Sequence, residues 1–369
     1  MKKLYIMQTE QNILNVIAAK YFNYNHIVVV KDKHFKSPFA ENGLLNFLFT
    51  EGYQTETLTI DLYDSTGLES LGKRLESEDV FVIPNSRFAF TLNTVLQFKD
   101  LCQLAFVEED GDIYLYKDNQ FCEIIKDAVH LNVEDYIENF GGTIQHSNEV
   151  LFEEACAKEL FNVLMRDLNI YRNMLKQTPI RTDQLSKQVH INFDKLSGKQ
   201  QILMEQLIDI LVKHDICARL GKRHTHILEF YDPRYKEFIS KSGSWLEMAT
   251  YLALTTIKDV ESEMSSVFFY WNKNRNLVSN EIDVMGTYDN RLVLISCKDT
   301  GNQLEKALYE LYTHGEQLGF DTSIKILVTT GELYSNILQR AKELGIYIVQ
   351  FDKDIRSLNS RLKNIFKTL

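Results

Sequence analysis

The sequence predicts an α/β protein made of two α/β units separated by a mainly helical middle segment. Three observations carry this. Short apolar runs alternate with amphipathic helical stretches between residues 4 and 83. Helical spacing dominates from about residue 150 to 240. Strand–helix alternation then returns from Gly243 to the end of the chain. At 369 residues the chain exceeds one ordinary core, so two or three domains are expected.

In the first unit, residues 4–7 and 27–30 are short β-branched runs, and residues 14–21 between them have helical spacing. Residues 57–62 and 80–83 read as further strands, separated by the amphipathic stretch 68–75. Such alternation favours a parallel sheet covered by helices on both faces. After residue 102, LAFVEEDGDIYLYKDNQFCEII reads as a hairpin turning at Asp110-Gly111. Residues 132–140 form a short helix closed by Gly141-Gly142. Helices are expected at 152–168 and 200–213. ICARLGKRHTHILEF follows as a hairpin around Gly221, giving a winged-helix-like middle unit. The last unit predicts a helix at 245–254, strands at 267–271, 281–287 and 292–297, a helix at 304–318, a strand at 323–329, a helix at 334–344 and a strand at 346–351. The expected domains are 1–145, 146–240 and 241–369.

Composition narrows the function. Hydrophobic content of 44% and charged content of 25% are those of a globular protein in water. No run of 18 apolar residues exists to span a membrane, and MKKLYIMQTEQ meets Gln8 and Glu10 too soon for a secretory signal. Cys102, Cys122, Cys156, Cys217 and Cys297 are scattered without a CxxC pair, so neither zinc nor a disulfide framework is indicated and a reducing, cytoplasmic setting is expected. A net charge of −10 argues against general coating of nucleic acid, but not against a local basic channel or acids gathered around a metal. Lys213, Arg219, Lys222, Arg223, His224 and His226 are either such a basic patch or a solvated hairpin.

The stretch NEIDVMGTYDNRLVLISCKDT places Asp283 between Ile282 and Val284, and Lys298 where an apolar strand emerges. A half-buried carboxylate is costly unless paired or bound to metal. Phosphodiester hydrolysis needs charge on the attacking and leaving oxygens, which Mg²⁺ or Mn²⁺ held by carboxylates supplies. A lysine beside the metal orients water or neutralises developing charge. The plain alternative is an Asp–Lys ion pair on neighbouring strands. Glu281 shares the strand face of Asp283, its simpler reading being a solvated surface acid. Cys297 reads as inert core rather than a nucleophile. In the first unit, ligands of doubly wound sheets bind at the carboxyl ends of the strands where strand order reverses. The candidate loops are Gln8-Thr9-Glu10-Gln11-Asn12 and Pro84-Asn85-Ser86-Arg87, whose guanidinium suits phosphate; ordinary helix-capping turns are the alternative.

Asp283 followed by Ser296-Cys297-Lys298, with Glu247 on a preceding helix, resembles the PD-(D/E)xK restriction-endonuclease core. GSWLEMATY and NEIDV…LISCK resemble segments of CRISPR-associated ancillary nucleases that join a CARF sensor domain to such a core. KALYELYTHGEQLGF, LQRAKELGIYIV and LNVEDYIENFGG extend the likeness over most of the chain. The resemblance implies an N-terminal Rossmann-like CARF domain and a C-terminal restriction-endonuclease-like domain. It implies a metal-dependent endonuclease of type III CRISPR antiviral defence, cleaving single-stranded or nicking double-stranded DNA or RNA. Glu247, Asp283 and Lys298 would be catalytic, and Glu247, Asp283 and the Cys297 carbonyl would hold Mg²⁺ or Mn²⁺. Thr9, Glu10, Gln11 and Asn12, with Asn85, Ser86 and Arg87, would contact a cyclic oligoadenylate, cyclic tetra-adenylate first, seated on the two-fold axis of a homodimer. Two positions depart from the pattern. Ser296 stands where an acid is usual, and a hydroxyl is a weaker ligand for a hard dication. IPNSRFAF replaces a Gly-rich turn, with Pro84 removing a donor. The alternative is a catalytically impaired sensor that binds ligand and nucleic acid or a partner without cleaving.

Overall fold

The computed structural model describes residues 2–369 except 10–11, 36–37, 62–63, 84–87, 109, 149–151, 177–179, 183–185, 223, 272–278, 302, 320–321 and 353. The first unit runs β1 (Lys3–Met7), α1 (Ile13–Phe22), β2 (His26–Asp32), α2 (Pro38–Thr50), β3 (Gln54–Ile60), α3 (Ser65–Gly72), β4 (Val80–Ile83), α4 (Phe88–Phe98), β5 (Gln103–Val107), β6 (Ile113–Lys117), β7 (Gln120–Ile125) and α5 (Val133–Asn139). Its sheet order is β3-β2-β1-β4-β5-β6-β7, parallel from β3 to β5 with an antiparallel β6–β7 extension. Strand order reverses between β1 and β4, as expected for a doubly wound sheet. The expected elements are present; α2 and α4 are additions. Asn132 caps α5 in a reciprocal box with Asp135, and Asp135 also pairs with Lys20 of α1, which ties α5 to the sheet's helical layer.

The middle unit comprises β8 (Thr143–Asn148), α6 (Glu154–Lys176), β9 (Ile180–Thr182), β10 (Gln188–Asn192), α7 (Gly198–Lys213), β11 (Cys217–Lys222), β12 (Thr225–Phe230) and α8 (Lys236–Ser240). A four-stranded sheet, β11-β12-β10-β9, packs with α6 and α7. β9 and β10 are short and rich in polar residues, so apolar periodicity did not reveal them. The cationic stretch is largely neutralised. Lys213 pairs with Glu159, Arg219 with Glu205 and Asp209, and His224 with Asp194, while His226 is buried against Phe193. Among the described residues, Lys213, Arg219 and His224 are each paired with an acid. The Lys222 side chain and Arg223 lie outside the described residues.

The last unit runs α9 (Ser244–Leu254), β13 (Val260–Tyr270), β14 (Ser279–Tyr288), β15 (Arg291–Lys298), α10 (Leu304–Leu318), β16 (Ile324–Thr329), α11 (Ser335–Glu343), β17 (Ile346–Gln350) and α12 (Ile355–Lys367). Its sheet order is β17-β16-β15-β14-β13-β8. β8 adds antiparallel to β13, so the expected boundary between residues 145 and 146 falls inside a strand of this sheet. One hydrophobic cluster joins α6, α9 and α12 to β14–β17, and another joins the first unit and α5 to β13 and α10. The β14–β15 turn, Asp289-Asn290, has left-handed backbone at both residues and inserts into the first unit. There the Asn290 amide donates to the carbonyls of Val129 (2.7 Å) and Asp110 (3.1 Å) and accepts from the Leu131 N–H (2.8 Å), and the Tyr136 hydroxyl donates to its carbonyl.

A candidate metal centre

Antiparallel register places Val284 opposite Ile295, so Asp283 and Ser296 are the next neighbours across β14 and β15. Lys298 lies two residues beyond Ser296 on the same strand face. Asp283 Oδ2 accepts from the Cys297 N–H at 2.6 Å and the Ser296 hydroxyl at 3.1 Å, and lies 3.5 Å from Lys298 Nζ. Its Oδ1 has no partner among the described residues. The Lys298 carbonyl is fixed by the Thr329 hydroxyl at 2.9 Å and the Thr330 N–H at 3.2 Å, which anchors the strand end.

Glu247 comes from the first turn of α9. Gly243 starts that helix with φ +95°, a left-handed conformation that favours glycine, and its carbonyl accepts from the Leu246 N–H. Glu247 is 8% exposed, and its nearest hydroxyl, Ser266, stands 3.5 Å away. Burial, then the charge of Asp283, push its carboxyl up to about 7, against the pull of Lys241. Glu281 brings a third carboxylate. One oxygen each from Glu247, Glu281 and Asp283 lies within 4.8 Å of the others. Sequence reasoning had set Glu281 aside as a surface acid. It had no signal for Lys241, whose Nζ is 2.8 Å from Glu281 and 3.8 Å from Glu247. Burial opposes the Lys241 charge, but these two acids outweigh it and hold its pKa well above the lysine range. The donor set suits a hard divalent cation: three converging carboxylates, one with a free oxygen and one whose burial leaves negative charge poorly compensated.

The remaining expected site residues divide. The Cys297 thiol is buried at 3.4 Å from the Thr250 hydroxyl, and burial, then Asp283, push it well above the usual thiol range. Next to Lys298, Asp299 receives Arg172 of α6 in a bidentate pair and the Trp245 indole N–H at 3.0 Å. In the first unit, Asn12 is 1% exposed and shapes the turn after β1, accepting from the Thr9 N–H and the Asn15 amide, both at 3.1 Å. Thr9 lies in the same turn. Glu10, Gln11, Asn85, Ser86 and Arg87 fall outside the described residues. Gln8, which opens the first candidate loop, is 4% exposed, and neither atom of its amide has a partner among the described residues.

Residues 236–369 match the family model of the Card1-like endonuclease domain. This segment is similar to that domain. All of Glu247, Glu281, Asp283, Lys298 and Lys241 lie within it. No curated protein sequence matches the chain. Among solved structures, the chain is similar to Can2 from Sulfobacillus thermosulfidooxidans in complex with cyclic tetra-adenylate, with 13% identity, 99% of each chain covered and a TM-score of 0.69. It is also similar to protein VC1899 from Vibrio cholerae, with 18% identity, 99% of this chain and 98% of that one covered and a TM-score of 0.72. A type III CRISPR defence DNA nuclease activated by cyclic oligoadenylate matches at 12% identity and TM-score 0.58; the chain is 97% covered but spans about half (51%) of that protein. The matched segment thus sits in the same overall fold as these proteins, with the doubly wound sheet before it.

Proposed function

We propose that this protein is a metal-dependent nuclease of type III CRISPR antiviral defence, cleaving single-stranded nucleic acid or nicking duplex and switched on by a cyclic oligoadenylate. The convergence of Glu247, Glu281 and Asp283 beside Lys298, inside a Card1-like endonuclease domain, carries the reading. Glu247, Glu281 and Asp283 would hold Mg²⁺ or Mn²⁺, joined by the Cys297 carbonyl. A divalent cation there supplies positive charge to the phosphate oxygens and lowers the pKa of water. Lys298, anchored by Thr329 and Thr330, orients the attacking water or neutralises the phosphate. The Cys297 N–H and Ser296 hydroxyl fix Asp283 so that its Oδ1 faces the site. Water adds to phosphorus as the bond to the leaving oxygen breaks; that oxygen departs with the electron pair, and the water's proton is lost to solvent.

The ligand site belongs at the β1/β4 strand-order reversal. A buried amide without hydrogen bonds costs about 1–3 kcal/mol, and Gln8 holds such an amide there, next to Thr9. A purine edge offers it both a donor and an acceptor. Cyclic tetra-adenylate is the first choice, since Can2 is similar over the whole chain and its structure contains that molecule. A two-fold ligand calls for a homodimer, and Leu92 and Leu96 of α4 with Phe121 and Ile124 of β7 expose apolar surface for one. The setting is cytoplasmic; among the described residues no helix is long and apolar enough to cross a membrane.

The test incubates the full chain with single-stranded DNA, RNA and supercoiled plasmid, in Mg²⁺ or Mn²⁺, with and without cyclic oligoadenylates. Metal-dependent cleavage stimulated by the ligand is expected; no cleavage in any combination from folded protein defeats the reading. One observation favours a second reading, a sensor with an impaired site: Ser296 gives Asp283 a hydroxyl donor where an acid would give the metal another ligand. Ser296→Glu separates the two. A gain of cleavage from nothing supports the impaired sensor, and a change of under about tenfold in an active enzyme supports the nuclease.

A further inference from the structure

Phosphodiester hydrolysis is commonly served by two cations about 3.5–4 Å apart, one for each oxygen of the in-line displacement. The acidic cluster here has three carboxylates. Two lysines face it: Lys298 on the Asp283 side, and Lys241 between Glu247 and Glu281. Lys241 is not an incidental surface lysine. Its N–H donates to the Glu237 carbonyl at 2.8 Å, its carbonyl accepts the Ser244 hydroxyl at 2.9 Å, and Tyr171 of α6 donates to the Phe238 carbonyl at 2.6 Å. The backbone of Lys241 is therefore held on both sides. Its ammonium lies against two of the three carboxylates that would have to be shared if a second ion were bound. The cavity beside Glu247, lined by Arg234, Glu237, Ser265 and Ser266, measures about 20 Å³, room for one water.

Charge points the same way. Three carboxylates and two ammoniums sum to −1, which one divalent ion converts to +1; a second would bring +3 into a half-buried site, against the cost of burying unbalanced charge.

We propose that Lys241 occupies the place of a second metal ion: it limits the cluster to one divalent cation and presents its ammonium to the scissile phosphate as the second positive charge. This rests on the nuclease reading above. It makes Lys241 a catalytic residue on the face of the site opposite Lys298.

The experiment uses the full-length protein, with Mn²⁺ as the probe, and counts bound ions by calorimetry and by electron paramagnetic resonance of free Mn²⁺. Lys241→Ala, Lys241→Gln and Lys241→Arg are compared with wild type, and thermal melts establish that each is folded. One ion is expected per wild-type and Lys241→Arg chain, and two per Lys241→Ala and Lys241→Gln chain at millimolar Mn²⁺. At saturating metal, kcat should fall ~100-fold in Lys241→Ala and Lys241→Gln, with KM changed less, and Lys241→Arg should recover at least a tenth of the wild-type rate. A wild-type protein that binds two ions overturns the proposal. So do alanine and glutamine variants that keep both one-ion stoichiometry and wild-type kcat, and in that case the nuclease reading stands. If the wild type binds no Mn²⁺ and cleaves nothing, the nuclease reading fails and the role of Lys241 falls with it.

Discussion

At the residue scale, Glu247 carries a measurable signature of the site. Its carboxyl is raised to about 7 from an ordinary 4.5. At pH below 4.5 both folded and unfolded chains hold the proton, so the stabilising contribution is fully present. Between 4.5 and 7 the unfolded chain releases the proton while the folded chain keeps it, and that contribution is lost as pH rises through 7. Metal-free wild type should therefore fall behind Glu247→Gln in thermal stability as pH goes from about 5 to 8. The gap should level off near 3 kcal/mol. Mn²⁺ should close it in the wild type alone, and equal pH profiles for the two proteins would contradict this picture of Glu247. Asp283 and Lys298 were legible in the sequence because a charged residue inside an apolar strand stands out. Glu281 was on the page as an i, i+2 neighbour of Asp283, but nothing in the pattern separated it from a solvated acid. Lys241 gave no sign at all, since its partners lie 6 and 40 residues away and no periodicity links a loop lysine to them.

At the scale of elements, the strand that ends in Lys298 is clamped from outside its own domain. Arg172, on the middle unit's α6, pairs with both Asp299 oxygens, donates to the Thr330 hydroxyl at 2.8 Å and lies 5.7 Å over the Trp245 ring. Asp299 is 5% exposed, and its other contacts are the Trp245 N–H and the Thr330 hydroxyl. One junction thus links the strand of Lys298, the helix of Glu247 and the middle unit. Arg172→Ala leaves a buried carboxylate without its cation, so denaturant unfolding should show a loss of about 3 kcal/mol. Arg172→Lys should recover less than half of it, because an ammonium cannot reproduce the planar two-pronged contact. A loss below about 1 kcal/mol for the alanine variant would show that the clamp is ornamental. Sequence reading placed nearly every element of the last unit within a few residues, with α12 the omission. It could not place this junction, because Arg172 and Asp299 are 127 positions apart and meet only once the sheet has formed.

At the scale of the whole molecule, the first and last units touch through the turn of the hairpin that carries Asp283 and Lys298. Asn290 gives all of its side-chain hydrogen-bonding groups to the first unit, and Gly111, at φ +89°, leaves room for it: a Cβ there would stand 2.2 Å from the Asn290 amide nitrogen. Any displacement of the first sheet would therefore meet this hairpin at its turn, with Asp283 seven residues from Asn290, about 24 Å along the strand. The fold class and the strand reversal were legible because strand–helix alternation is a local signal. The docking of the units was not, being made of single side chains with no sequence period.

The strand contributed by residues 143–148 has a practical consequence for anyone who would work with the endonuclease segment by itself. A protein cut to start at residue 236 would leave the pairing groups of Ser265, Phe268, Phe269 and Tyr270 bare along an open border, a template for self-association. Such a fragment should precipitate or form ladders of oligomers on size-exclusion chromatography. One beginning just before Gly142 should stay monodisperse. The last sheet of this molecule begins, in material terms, almost a hundred residues upstream of where the family likeness does.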